Sequence, residues 1–246
     1  MPGNINASTG AVTGLGLFLG GCTAPLSTLD PAGPAADAIA ALWWIMLTGA
    51  AAIWALTMLL LGLAFRHRDR HDQQASKHET GLWLIGLGTL FPTAVLAALL
   101  AYGLVIGERL LPDSQADVVT VSAHAERWRW TFGYDDLRSA HTTTGLLHIP
   151  AGRAVDVKIS TGDVIHSFWV PRLAGKLDAI PGRTQVLRIE ASKPGVYAGR
   201  SSEFSGEGYL HHTFEVVAHD ARGWQAFLES TPSDTGARQS AMGATR

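Results

Sequence analysis

The chain reads as a transmembrane hairpin of two helices followed by an all-β sandwich or barrel. Three observations carry that reading. Its most apolar stretches are two long runs, both before residue 112. A short basic segment lies between them. After residue 117 the pattern changes to short alternating segments separated by Pro and Gly. The 246 residues suffice for one soluble domain beside a hairpin. A formal net charge of -2 suggests no nucleic-acid partner.

Residues 1–22 form a leader that ends at Cys22, the only cysteine. An apolar run, Ala11 to Leu19, precedes Leu19-Gly20-Gly21-Cys22, which resembles a bacterial lipobox. Lipidation of Cys22 is therefore expected, although no Lys or Arg stands before it. A lone cysteine excludes an intrachain disulfide and cannot supply a multi-thiolate metal site.

Residues 23–112 comprise an entry segment and the hairpin. Leu29 to Pro34 is rich in turn residues. Ala38 to Phe65 and Gly81 to Ile106 each exceed the roughly 20 residues that cross a bilayer as helix, which places the helices at about 38–65 and 81–106. Pro92 falls inside the second run and is expected to kink it. Trp43, Trp44 and Trp83 suit an interfacial aromatic belt. The connecting loop, Arg66 to Thr80, carries Lys and Arg beside the membrane ends, so the positive-inside rule sets it in the cytoplasm. Both termini and the later domain then lie outside. His67, His71 and His78 in this loop read as solvated side chains.

Residues 113–230 form the β domain. Val119 and Val121, then Trp128, Trp130, Phe132 and Tyr134, alternate along the chain. Similar short runs are Leu146 to Ile149, Val155 to Ile159, Val186 to Ile189 and Phe214 to Val217. Pro150, Pro181 and Pro194 punctuate them, each beside or near a glycine, as in a sandwich or barrel. Ala221 to Ser230 is expected to close the domain as a helix, with Trp224, Phe227 and Leu228 on one side. Residues 231–246 are small and polar, and disorder is expected there.

Two stretches carry the chemistry. They are VIHSFWVPRLAGKLDAIPGR, Val164 to Arg183, and GRSSEFSGEGYLHHTFEVV, Gly199 to Val217. Together they resemble subunit II of the heme–copper respiratory oxidases, a family with a cupredoxin-like domain. In its cytochrome c oxidases the late loop supplies two cysteines, a histidine and a methionine, which hold a dinuclear copper centre with an upstream histidine. Here the cysteine positions are Ser201 and Ser205, the histidine position is Tyr209 and the methionine position is His212, while His166 keeps the upstream histidine. Thiolates are soft ligands and a serine hydroxyl is not. The resemblance therefore points to the copper-less, quinol-oxidizing branch. Neighbouring residues on a strand face opposite ways, so at most one of His211 and His212 can face His166.

The resemblance implies further roles. Glu203 matches a glutamate that helps bind Mg²⁺ at the junction with subunit I, and a carboxylate suits that ion. Lys176, Asp178 and Arg183 match a loop that faces subunit I. Trp128 matches a tryptophan on the electron-entry path; without copper behind it, packing in the core or at an interface accounts for it better. No catalytic residue and no cofactor is expected in this chain. Hemes and copper would belong to subunit I, with subunit III, membrane lipid and ubiquinol as the other partners, in a bacterial inner membrane. Two alternatives stand beside this reading. One is a cytochrome c oxidase subunit II with atypical electron entry, although the chain has no heme-attachment C-x-x-C-H. The other is a membrane-anchored cupredoxin-like assembly or binding protein outside any oxidase.

Overall fold

A computed structural model describes residues 24–66, 81–109, 118–134 and 142–230. Cys22, the loop histidines His67, His71 and His78, and the tail 231–246 lie outside the described residues. The chain divides into two compact units, Ala41–Leu111 and a β unit made of Met1–Ala40 with Pro112–Arg246. The sequence had grouped everything from 23 to 112 with the hairpin. The difference is that the entry segment, through Ala40, packs with the β unit.

The helical unit takes most of helix α1, Pro34–Arg66, then a π-helical stretch, Leu82–Leu90, that runs straight into α2, Phe91–Arg109. Both spans are long and apolar enough to cross a membrane, and their apolar windows are wholly unburied within the chain itself. Leu59, Leu84, Ile85, Leu90, Leu96 and Leu104 stand exposed, which suits hydrocarbon rather than water as the surrounding medium. The first helix starts at Pro34, ahead of the expected 38, and the second runs on to Arg109, past the expected 106. Near Pro92 the ladder widens, with the Phe91 amide donating to the Gly86 carbonyl five residues back. A proline removes a donor and crowds the preceding carbonyls, and π turns are one way a helix absorbs that.

The β unit is a sandwich of two five-stranded sheets. One sheet is ordered β3-β2-β1-β5-β8 and the other β4-β10-β9-β6-β7. The first contains β1, Val119–Glu126; β2, Arg129–Gly133; β3, Thr142–Thr144; β5, Val155–Thr161; and β8, Gln185–Ile189. The second contains β4, Leu146–Pro150; β6, His166–Trp169; β7, Leu177–Ala179; β9, Gly195–Ser201; and β10, Thr213–His219. β1 pairs with β5 and β4 with β10 in parallel; the other pairings are antiparallel. Alternation does what the sequence implies. Along β1, Val119, Val121, Ala123 and Ala125 point inward, and along β5 so do Val155, Val157 and Ile159. Trp130, Phe132, Phe168 and Phe214 form the aromatic centre, with ring centroids 4.8 to 6.4 Å apart.

Two outer elements complete the unit. Helix α3, Ala221–Glu229, buries Trp224 and Phe227 as expected, and the Asp220 carboxylate caps it by accepting from the Gly223 amide at 2.7 Å. At the other end the entry segment is strapped to the sandwich. The Ala32 amide donates to the Arg172 carbonyl, and the Ser192 amide donates to the Ala32 carbonyl. Arg172 also reaches the Asp30 carbonyl at 2.8 Å and its carboxylate at 2.9 Å, over the Tyr197 ring. Gly33 is required here, since a Cβ would overlap the Glu190 carbonyl.

Candidate functional site: a buried histidine pair beneath a serine-bearing loop

β9 ends at Ser201 and β10 starts at Thr213, so the residues between them form a loop at one end of the second sheet. Backbone bonds close it: the Ser201 amide donates to the His212 carbonyl at 2.8 Å, and the His212 amide to the Tyr209 carbonyl at 3.1 Å. A single 3-10 turn, Tyr209–His211, carries the chain back toward β10. The Phe168↔Ser201 pairing of β6 with β9 brings His166 under the same loop.

Of the five sequence-predicted positions, four are buried. His166, Ser201 and His212 have no exposed surface and Ser205 has 5%. His166 and His212 meet edge to face with centroids 4.9 Å apart. Trp130 stacks on His212 at 5.4 Å and stands edge-on to His166 at 6.5 Å. His211 is exposed, so only one of the two adjacent histidines faces His166, although both precede β10 and it is the 3-10 turn, not strand alternation, that divides them. Tyr209 does not join the buried pair; it is half-buried and packs edge-on against the exposed Phe204. Ser201 Oγ accepts from the Ser167 amide at 3.1 Å.

Asp163 went unnoticed in the sequence and is central to the site. Its Oδ1 lies 2.9 Å from His166 Nε2. It also accepts from the Val164 amide at 2.7 Å and the Arg127 amide at 3.0 Å, and Thr161 Oγ1 lies 3.1 Å away. Desolvation pushes its pKa up, but these hydrogen bonds outweigh it and hold the carboxyl well below the usual range. His212 is affected oppositely. Burial, then the neighbouring His166, push its pKa down to about 4, against a weaker pull from the Arg129 backbone. Near neutral pH the ring is uncharged. The only signal for Asp163 in the sequence was an acidic residue three places before His166, in a Thr-Gly-Asp turn.

The remaining positions sit apart from this pair. Lys176 Nζ stands 3.8 Å from Asp178 Oδ1 and 3.9 Å from Glu203 Oε2, so one ammonium joins the two carboxylates. Arg183 is exposed on the turn after β7. Of the two settings expected for Trp128, core or interface, its exposure excludes the core. The strand begins at Arg129, one residue later, and Trp128 is 42% exposed, lying over Gly206 and Gly208. A Cβ at Gly208 would enter its ring. Among the described residues no cluster of three or more His, Cys, Asp or Glu could hold a metal ion.

Sequence comparisons with known proteins point to one family. Residues 142–220 match the family described as cytochrome c oxidase subunit II, periplasmic domain. A quinol oxidase subunit 2 from Bacillus cereus is 31% identical over 210 residues, which cover 82% of this chain and 72% of that protein. A cytochrome c oxidase subunit 2 from Alkalihalophilus pseudofirmus is 28% identical over 230 residues, covering 89% and 67%. The crystal structure of the periplasmic domain of subunit II of cytochrome oxidase from Bradyrhizobium japonicum superposes with a TM-score of 0.45 at 24% identity, covering 49% of this chain and 97% of that one. The chain belongs to the subunit II family of the heme–copper terminal oxidases, in its quinol-type branch.

Proposed function

We propose that this chain is a non-redox subunit II of a quinol-oxidizing terminal oxidase and holds no dinuclear copper centre. The observation that carries the reading is the state of the two serines. Both are buried at the positions where the family's copper ligands are cysteines, and Ser201 Oγ already takes the Ser167 amide. A hydroxyl has a high pKa and is a hard donor, so it replaces neither the charge nor the softness of a thiolate. Tyr209 packs on Phe204 and offers no imidazole. These residues do not fit a dinuclear thiolate centre, and electrons need not pass through the chain. In this reading they enter subunit I from ubiquinol within the membrane, and subunit I holds the hemes and copper that reduce O₂.

The role left to the chain is assembly. The basic loop Arg66 to Thr80 sets the hairpin with both ends outward, and puts the β unit in the periplasm. Lipid on Cys22 would add a second anchor on that side. Lys176, Asp178, Arg183 and Glu203 supply a polar surface for subunit I. Mg²⁺ at Glu203 would have to displace Lys176, so the triad reads better as an interface ion-pair network than as a metal site. Pull-down through a tag on this chain from native membranes tests the role. Heme-bearing subunit I is expected in the eluate; recovery of the chain without it would support an assembly or binding protein outside the oxidase.

A further inference from the structure

A cleft of about 460 Å³ lies within the β unit, between the entry segment and the turn from β8 to β9. That volume falls in the range of ligand pockets. Its wall carries two cations, Arg172 and Lys193, and two carboxylates, Asp30 and Asp37. Asp30 engages Arg172 through Nε and one Nη, which leaves the rest of the guanidinium's donors for a ligand. Lys193 and Asp37 are exposed and enter no ion pair among the described residues. The Tyr197 hydroxyl donates to the Lys193 carbonyl at 2.7 Å and so fixes the turn that carries the lysine. Pro194 and the exposed Val196 give the cleft an apolar lip. The cleft also has a definite level. At 1.5 Å per residue the apolar run Ala38 to Phe65 measures about 42 Å, close to the thickness of a bilayer with its headgroups. Asp37, the residue before that run, therefore stands at the outer edge of the headgroup layer.

We propose that this cleft seats the zwitterionic headgroup of one phosphatidylethanolamine molecule, its phosphate on Arg172 and Lys193 and its ammonium on Asp30 and Asp37. The choice of lipid follows from charge and donors. Two cations beside two carboxylates are complementary to a zwitterion. An anionic lipid without an ammonium would meet the cations but leave the carboxylates facing its phosphate. A choline headgroup has the charge but no N–H to donate, whereas a primary ammonium can donate to both carboxylates. The guanidinium fork suits phosphate oxygens, and the lysine adds a point charge. The level of the cleft and its apolar lip favour a lipid over a soluble zwitterion, since Pro194 and Val196 offer a surface to the glycerol esters. A smaller cavity of about 280 Å³ shares Asp30, Arg172 and Val196 with the cleft and extends that apolar surface with Pro25 and Ala198. The inference rests on the membrane anchoring of the chain and is independent of the electron donor of the complex.

The test is native mass spectrometry of the full-length chain in detergent, titrated with dioleoyl lipids. One phosphatidylethanolamine per chain should be retained. Phosphatidylcholine and phosphatidylglycerol with the same acyl chains should each bind at least about threefold more weakly, as loss of one charge-assisted hydrogen bond in a half-exposed site implies. Lys193→Gln should weaken all three lipids by a similar factor, because each has the phosphate. Asp37→Asn should weaken phosphatidylethanolamine alone and narrow its lead over phosphatidylglycerol, because only that headgroup offers an ammonium with N–H donors. A merely structural role for Asp37 would not change the order of the lipids. Both residues are exposed and outside the ion pairs of the fold, and circular dichroism should show both variants folded as the wild type is. Equal retention of the three lipids means annular lipid only and overturns the proposal. Retention that both variants leave unchanged overturns it too. Displacement of the lipid by inorganic phosphate in millimolar excess would mark a site for soluble phosphate and also overturns it.

Discussion

Burial holds the His212 imidazole neutral, and that makes the stability of the fold depend on pH. An unfolded histidine titrates near 6.5, whereas His212 in the fold titrates at about 4. Between those values the unfolded chain binds a proton that the folded chain refuses. The stability due to this group is therefore full above about pH 6.5 and is lost as pH falls toward 4, at up to about 1.4 kcal/mol per pH unit. Urea midpoints at pH 7, 6 and 5 should fall more steeply for the wild type than for His212→Leu; equal slopes would contradict the account. The serines give a second expectation. Ser201→Cys with Ser205→Cys restores two sulfurs but leaves Tyr209 on Phe204 and an imidazole at His212. Copper added to that double variant should not produce a purple dinuclear spectrum. The pairing of His166 with His212 was partly legible from the resemblance of the two stretches, but the strand alternation invoked to choose between His211 and His212 does not apply, because a 3-10 turn holds them before β10 begins. Asp163 was not, since nothing local marks a turn aspartate as the partner of a histidine three residues on.

Among the elements, legibility followed side-chain size. β2, β4, β5, β8 and β10 announce themselves by large apolar residues at alternate places, and β1 does so only through Val119 and Val121, since Ala123 and Ala125 follow. β9 does not, because two of its inward positions are Gly199 and Ser201. Gly199 is small for a reason: a Cβ there would meet the Phe214 ring of the neighbouring strand. β6 has no alternation to read, with His166, Ser167 and Phe168 all buried. β3 and β7 are three residues each, too short for a pattern. The strap shows the same limit, for its turn-rich sequence gives no hint that Asp30 and Ala32 bind the Arg172 segment. Gly33→Ala should push the strap off the Glu190 carbonyl and destabilise the β unit by about 1–3 kcal/mol. Limited proteolysis should then cut near residues 24–33 faster than in wild type. Unchanged cleavage would show that the strap adds little.

For the whole molecule, the sequence conveyed architecture better than boundaries. Two apolar helices and a sandwich were both evident, because hydrophobic length and alternation are strong physical signals. The reach of the β unit was not, since it recruits the entry segment through backbone bonds at Ala32 and by burying Ala36 and Ala40, which composition does not reveal. Ser201 and Ser205 are buried at the loop end of the β unit, and in the proposed function they stand at the positions where copper-bearing members of the family have cysteines. The central claim is that electrons bypass this chain. It is tested most directly in the intact complex, purified through a tag on this subunit, by comparing O₂ consumption with ubiquinol and with reduced cytochrome c while recording the electron paramagnetic resonance of the oxidized enzyme. Ubiquinol-driven turnover with no mixed-valence dinuclear copper signal is the expected result. Turnover with cytochrome c together with that signal would contradict the account.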